Sequence, residues 1–120
     1  MEANQELEIS TETEGLPENQ VVFHLNGYFT NPALKAFGTA VGGLLDQGRK
    51  DVEVDFTNLQ YIDSQGVAEI VPIYQVIRQA GGSLKISNPR RLIRHILLSA
   101  KLDDIIEIGP AQEDEASDKI

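Results

Sequence analysis

The amino-acid sequence predicts a single α/β domain whose small mixed β-sheet is covered mainly on one face by helices. Segments that alternate apolar and polar residues, as strands do, are followed by segments whose apolar residues recur every three or four positions, as in helices. Helices between strands act as crossover connections, which place those strands parallel in one sheet. The 120 residues, 41% of them apolar, suffice for one core but not comfortably for two.

The start of the chain predicts an antiparallel hairpin that opens the sheet. Residues 20–27 alternate clearly, with Val21, Phe23 and Leu25 on one face, whereas residues 7–11 alternate more weakly. The intervening TETEGLPEN has the composition of a turn. Residues 7–11 are therefore either a first strand or a frayed end.

A first helix is predicted over about residues 32–47, where apolar residues recur at helical spacing. Asn31 suits the N-cap and Pro32 the first helical position, because proline lacks a donor that would be unpaired there. Three glycines inside this helix would each cost about 1 kcal/mol relative to alanine. They indicate close packing against the sheet, and they are Gly38, Gly42 and Gly43.

The rest of the chain continues the alternation of strands and helices. The predicted elements are a strand at 51–56, a helix from about 67 to 77, a strand at 83–87, a helix at 88–100 with a second Asn-Pro start, and a strand at 104–108. The predicted order is therefore β-β-α-β-α-β-α-β.

The net charge of −9 is concentrated at the two ends of the chain. Residues 1–18 hold six acids and no Lys or Arg, and residues 111–120 hold four acids and one Lys. We assign residues 1–19 to an acidic N-terminal segment that includes the possible strand, residues 20–110 to the domain, and residues 111–120 to an acidic tail. Acidic ends repel phosphate, so nucleic acid is not an expected partner.

The residues that carry most enzyme and metal chemistry are missing or scattered. The chain has no cysteine, its two histidines are His24 and His95, and it contains neither a phosphate-binding glycine loop nor a GxSxG elbow. We predict no catalytic, metal or cofactor site, and we interpret His24 as a surface residue of a half-buried strand. No apolar run reaches membrane-spanning length and no targeting segment opens the chain, so we predict a cytoplasmic protein that does not insert into a membrane.

A basic group precedes and enters the third predicted helix: Arg90, Arg91, Arg94 and His95. We interpret it as a solvated face opposite an apolar stripe, since long basic side chains commonly flank such stripes. The alternative is a contact with an acidic partner surface.

The hexapeptide YIDSQG, residues 61–66, lies between a predicted buried strand and the second helix. Asp63 or Ser64 is expected at the helix N-terminus, where a side-chain oxygen accepts from an otherwise unpaired amide. The same place suits a phosphoserine, because free amides and the positive end of the helix dipole stabilise negative charge. The motif therefore fits both a helix cap and a site of modification.

Three segments together resemble the STAS domain family, and within it the bacterial anti-sigma factor antagonists. They are VEVDFTNLQYIDSQGVAEI, RQAGGSLKISNP and LLSAKLDDIIEI, and their order and spacing match the family from about Val21 to Ile108. The resemblance implies a STAS-like fold and a protein that switches between partners rather than one that catalyses a reaction.

In the family that the chain resembles, the antagonist binds an anti-sigma factor that is also a serine kinase. The kinase phosphorylates the serine after the motif Asp, which releases the antagonist, and a serine phosphatase resets it. The resemblance implies that Ser64 is the phosphoacceptor, that Asp63 orders the turn, and that Gly66 gives the partner close backbone access. The implied kinase contacts are Asp63, Ser64, Gln65, Gly66 and Glu69.

The sequence departs from the antagonist pattern after its second strand. Antagonists commonly carry acids there in a Gly-Glu-apolar-Asp pattern, whereas this chain has Tyr28 and Thr30 at those positions. Ala68 replaces a second glycine, and Pro72 within the second helix is expected to remove a hydrogen bond and bend the helix.

The alternative function is a STAS subunit or scaffold that does not switch, for example an accessory component of an ABC lipid-transport complex. We expect a monomer when the protein is free, because no long apolar stripe is left over.

Overall fold

The computed structural model describes residues 6–113, and it confirms the predicted α/β fold and the order of its elements. The elements are β1 (Leu7–Glu12), β2 (Gln20–Phe29), α1 (Asn31–Asp46), β3 (Asp51–Ile62), α2 (Ser64–Gln79), β4 (Ser83–Ser87), α3 (Arg91–Ser99), a 3₁₀ turn (Leu102–Asp104) and β5 (Glu107–Ile108). None of the helices within residues 6–113 is both long and apolar enough to span a membrane.

The five strands form one mixed sheet in the order β1-β2-β3-β4-β5. β1 pairs antiparallel with β2, as the predicted hairpin requires, and all later neighbours pair parallel. Alternate residues of β2, β3 and β4 are buried together with residues of all three helices, so the helices cover one face. The opposite face, which carries His24, Glu53, Asp55 and Ser87, is called the helix-free face below.

Three phenylalanines connect α1 to the sheet in the core. The Phe37 ring packs edge-to-face against the rings of Phe23 and Phe29, with centroids 5.4 and 5.5 Å away. All three side chains are almost fully buried. Edge-to-face pairs contribute beyond the burial of apolar area, so Phe37 is a main contact of α1.

Both predicted Asn-Pro helix starts differ from the structure. α1 begins at Asn31, with Thr30 in the N-cap position and Pro32 in the first turn. α3 begins only at Arg91, because Asn88 adopts a left-handed backbone conformation with φ of 57°. Asparagine tolerates this conformation, and the Asn88 side chain is held by a hydrogen bond to Asp55 at 3.2 Å. The residues before Arg91 thus form a turn rather than the first turn of a helix.

The third strand continues to Ile62 instead of ending near Phe56. Its pairing with β2 shifts register after His24 and again after Gly27. These bulges interrupt the simple alternation of buried and exposed residues, which is why the strand periodicity stops at Phe56 in the sequence.

The predicted last strand is mostly a turn. Residues 102–104 form the 3₁₀ turn, and the Ile106 N–H donates to the Leu102 carbonyl oxygen at 2.9 Å, so the backbone is still turning at Ile106. Only Glu107 and Ile108 pair with β4.

The prediction that the α1 glycines mark close packing is wrong. A Cβ atom added at Gly38, Gly42 or Gly43 would meet nothing within 4 Å. No contact among residues 6–113 explains these glycines.

The packed domain extends on both sides of residues 20–110. β1 pairs with β2 along its whole length, and Leu7 and Ile9 pack against the core. The Gln112 side chain donates to the carbonyl oxygens of Thr57 and Asn88, both at 2.8 Å, so residues beyond 110 also pack on the domain. Residues 1–5 and 114–120, which hold much of the predicted acidic segments, lie outside the described residues.

We predict that Phe37→Ala lowers the free energy of unfolding by about 3–5 kcal/mol, since it removes a buried ring and leaves a cavity between α1 and the sheet. Urea denaturation followed by circular dichroism measures the change. Leu92→Ala is the control, because Leu92 is 67% exposed and its truncation is expected to change stability by less than about 0.5 kcal/mol. Equal effects of the two substitutions would contradict the role of Phe37.

Candidate functional site

Asp63 is the N-cap of α2. Its backbone is extended, and its carboxylate accepts a hydrogen bond from the backbone N–H of Gly66 at 2.8 Å. The Asp63 carbonyl oxygen accepts from the Val67 N–H at 3.0 Å, which closes the first helical turn. Of the two candidate N-cap residues in the sequence, Asp63 is therefore the one that caps the helix.

Ser64 is the first residue of α2, and its side chain is exposed. Within residues 6–113 the Ser64 hydroxyl has no hydrogen-bond partner. The N–H groups of the first helical residues lack an intrahelical acceptor, and they lie at the positive end of the helix dipole. The site thus combines an accessible hydroxyl with backbone donors suited to an anion.

Gly66 has an internal role that differs from the predicted one. It is buried, and a Cβ atom at this position would collide with the carbonyl oxygen of Phe29 and lie 2.9 Å from Cγ1 of Ile62. Its missing side chain lets α2 approach the end of β2, so the expectation that Gly66 gives a partner access to the backbone is wrong.

The other predicted contact residues lie around this first turn with different exposures. Ser64 and Gln65 are exposed, whereas Asp63 and Glu69 are half-buried. Pro72 is exposed farther along α2, and the helix continues through it to Gln79.

Tyr28, which stands at one of the two positions where acids were expected, forms an aromatic pair near this turn. Tyr28 on β2 pairs in register with Tyr61 on β3, and their rings lie 5.9 Å apart at a tilt of 47°. Tyr61 is 49% exposed and lies three residues before Ser64. From the sequence, Tyr28 was notable only as a position without the expected acid. Its contact with Tyr61 follows from the register of β2 and β3.

A hydrogen-bonded network on the helix-free face escaped the sequence analysis. His24 Nδ1 lies 2.8 Å from Asp55 Oδ2, and His24 Nε2 lies 2.9 Å from Glu12 Oε1. Asp55 also accepts from the Thr57 N–H and hydroxyl at 3.1 and 2.6 Å. His24 is half-exposed, as expected for the polar face, but it bridges three strands instead of serving only as a surface residue.

This network shifts the pKa values of its two central groups. Hydrogen bonds to Glu12 and then to Asp55 raise the pKa of His24 above its ordinary value of 6.5. Partial burial opposes ionisation of Asp55, but hydrogen bonds from Thr57, His24 and Asn88 outweigh it and lower the pKa of this carboxyl. Among residues 6–113, no group of histidines and carboxylates is arranged to hold a metal ion.

Two arginines of the basic group donate hydrogen bonds to backbone carbonyl oxygens of other segments. Arg90 Nε donates to the Leu59 carbonyl oxygen at 3.1 Å, and Arg94 Nε donates to the Gly109 carbonyl oxygen at 2.8 Å. Their interpretation as a merely solvated face is therefore wrong.

The chain belongs to the STAS domain family. The family model described as "Mlab, STAS domain" matches residues 12–107, which is most of the chain. The predicted resemblance is thereby confirmed.

Among curated proteins, the anti-sigma-B factor antagonist of Bacillus subtilis is 35% identical over 71 residues. The aligned region spans 58% of this chain and 63% of that protein. The chain is thus similar to an anti-sigma factor antagonist over part of the length of both proteins.

Solved structures of antagonists share the fold. A putative anti-sigma factor antagonist from Thermotoga maritima superposes with a TM-score of 0.73 at 20% identity, over 95% of this chain and 93% of that one. The antagonist SpoIIAA in its unphosphorylated form gives a TM-score of 0.68 at 20% identity, over 93% and 96% of the two chains. Its phosphorylated form, from Bacillus, gives 0.66 at 21% identity, over 93% and 98%.

We predict that Asp63→Ala lowers the free energy of unfolding by about 1 kcal/mol, because the Gly66 N–H loses its acceptor. Ser64→Ala is the matched control, and it is expected to change stability by only a few tenths of a kcal/mol, since the hydroxyl makes no capping bond. Chemical denaturation of the two variants distinguishes the roles. A larger effect of Ser64→Ala would show that the serine, not the aspartate, stabilises the helix start.

Proposed function

We propose that this protein is a phosphorylation-controlled anti-sigma factor antagonist that acts in the cytoplasm as a monomer when free. The unmodified protein binds an anti-sigma factor that is also a serine kinase, the kinase phosphorylates Ser64, and the modified protein is released. A serine phosphatase returns it to the binding state. The likeness to the Bacillus subtilis antagonist supports the proposal that the partner is an anti-sigma factor. The main support for phosphorylation is the Ser64 hydroxyl at the start of α2, which is exposed and has no hydrogen-bond partner among residues 6–113.

The geometry suits a phosphate that changes binding without disturbing the fold. Because Asp63 already caps α2, modification of Ser64 removes no hydrogen bond that stabilises the helix. The free N–H groups of the first turn and the helix dipole favour the added negative charge. SpoIIAA, which shares the fold, has been solved in both unphosphorylated and phosphorylated forms, and this chain superposes on each.

A single phosphate is energetically sufficient to release a partner. A hundredfold loss of affinity requires about 2.7 kcal/mol. A phosphate with a charge of about −1.5 to −2 supplies this through repulsion and lost hydration when it is enclosed in an interface that lacks a matching arginine cluster.

The proposed contact surface is the exposed part of the first turn of α2. Ser64 and Gln65 present the accessible side chains, and Asp63 and Glu69 contribute from its half-buried flanks. Tyr61 extends this surface with an exposed aromatic ring. Aromatic side chains are frequent anchors in protein interfaces, so the partner is expected to offer an apolar contact there.

We predict that the full chain, incubated with ATP and an extract of its source cells, is phosphorylated on Ser64, since this hydroxyl is exposed and unbonded. Mass spectrometry of the tryptic peptides locates the phosphate. Ser64→Ala is expected to abolish the modification, and Ser99→Ala, which removes an exposed serine at the end of α3, is expected to leave it intact. With the purified kinase partner, Ser64→Asp should weaken binding about a hundredfold. Failure of an active kinase partner to modify Ser64 would refute the switch.

We predict that Tyr61→Ala weakens binding of the kinase partner about tenfold, which corresponds to the loss of about 1.4 kcal/mol from an interface anchor. Val76→Ala is the matched control, because Val76 is equally exposed at 49% but lies toward the other end of α2. Titration calorimetry compares the two variants. Equal affinities would exclude Tyr61 from the contact surface.

A second candidate function is a STAS subunit that does not switch, such as an accessory component of an ABC lipid-transport complex. It is supported by the family description, which names Mlab rather than an antagonist. In such a subunit Ser64 would be only a contact residue beside the Asp63 cap. Co-purification with an ATPase subunit that persists unchanged in Ser64→Asp would favour this function over the switch.

A further inference from the structure

The His24 ring lies between two strands that each supply a carboxylate. β2 is flanked by β1 and β3, and His24 lies in register with Ser10 on one side and Asp55 on the other. Its two ring nitrogens contact Glu12 from β1 and Asp55 from β3. One side chain therefore joins three strands across the helix-free face.

Only the protonated ring can satisfy both contacts. An ionised carboxylate accepts hydrogen bonds but donates none, and neutral imidazole carries a single N–H. The imidazolium has an N–H on each nitrogen, so it donates to Glu12 and Asp55 at the same time. Loss of the proton must break one of the two hydrogen bonds.

The two carboxylates differ in how firmly they are held. Asp55 is 15% exposed in its side chain and accepts further hydrogen bonds from Thr57 and Asn88. The side chain of Glu12 is 52% exposed and lies at the end of the outermost strand, and its carboxylate has no other hydrogen-bond partner among residues 6–113. Deprotonation is therefore expected to release Glu12 while the bond to Asp55 persists.

The charged groups around the ring favour its protonated form. The side chains of Glu8 and Glu12 face it from β1, and those of Asp55 and Glu53 lie on the same face of β3. The two neighbouring strands thus offer the ring carboxylates and no cation.

We propose that protonated His24 clamps β1 onto the sheet and that this clamp opens as the pH rises. The device is independent of the switch at Ser64, since it depends only on contacts of the helix-free face. The clamp also affects the backbone at Tyr28, because the Tyr28 N–H donates a hydrogen bond to the carbonyl oxygen of Glu6, just before β1, at 3.0 Å. Docking of β1 therefore supports the backbone that carries the aromatic pair.

The direction of the pH effect follows from the raised pKa of His24. Its stabilising contribution is complete below the ordinary value of 6.5 and is lost as the pH rises through the raised value in the folded protein. The lowered pKa of Asp55 acts in the opposite sense: its contribution is lost only in acid, as the pH falls through that lowered value. The clamp is thus closed below pH 6.5 and opens as the pH rises through the raised pKa of His24.

The clamp is tested on the full chain by NMR titration of the His24 ring protons and by hydrogen exchange of the β1 amides. Glu12→Gln removes the charge on β1, and Glu8→Gln is the matched control because Glu8 lies on the same face of the same strand without a bond to His24. The His24 titration midpoint is expected to fall by at least about 0.5 pH units in Glu12→Gln and to change little in Glu8→Gln.

Protection factors, which correct for the intrinsic pH dependence of exchange, measure the opening itself. Between pH 6 and 8.5, the protection factors of the β1 amides in the wild-type protein are expected to fall at least about threefold more than those of the β4 amides. A threefold change is what a pKa shift of about half a pH unit at His24 produces. This difference should disappear in Glu12→Gln. An unchanged midpoint in Glu12→Gln, or β1 protection that does not depend on pH in the wild-type protein, would overturn the proposal.

Discussion

The contact between the first turn of α2 and the end of β2 is the constraint on which the site depends. The carbonyl oxygen of Phe29 occupies the space that a side chain at residue 66 would need, so only glycine allows the helix to lie this close to the sheet. The close approach fixes where α2 begins. It leaves Asp63 as the cap and Ser64 exposed beside the ends of two parallel strands.

The helix cap and the proposed phosphoacceptor are adjacent but separate residues at this turn. The carboxylate of Asp63 stabilises the helix, whereas the hydroxyl of Ser64 makes no hydrogen bond within residues 6–113. A cap and a phosphoacceptor on one residue would oppose each other, since each modification would alter the helix. In the proposed switch, their division between two neighbours allows Ser64 to gain charge while Asp63 keeps its hydrogen bond to the Gly66 N–H.

Periodicity predicted α1, α2 and most of the sheet because these elements bury one face along much of their length. It failed at Asn88, whose left-handed backbone accompanies a long-range hydrogen bond to Asp55, and at residues 104–106, where the chain turns locally before β5. The motif residues Asp63 and Ser64 were found because capping is local. The His24 network and the Tyr28–Tyr61 pair were missed because strand register, which brings together residues more than thirty positions apart, is not written in any local pattern.

The two borders of the sheet differ in a way that bears on how copies of the protein meet. β1 exposes Glu8, Ser10 and Glu12, and β5 offers only two paired residues before Gly109 and Pro110. A strand of a second copy added beside β1 would bring like charges together. A strand added beside β5 could form hydrogen bonds with only two residues, because Pro110, which follows shortly after, has no backbone donor. The sheet therefore resists growth into fibres at both borders.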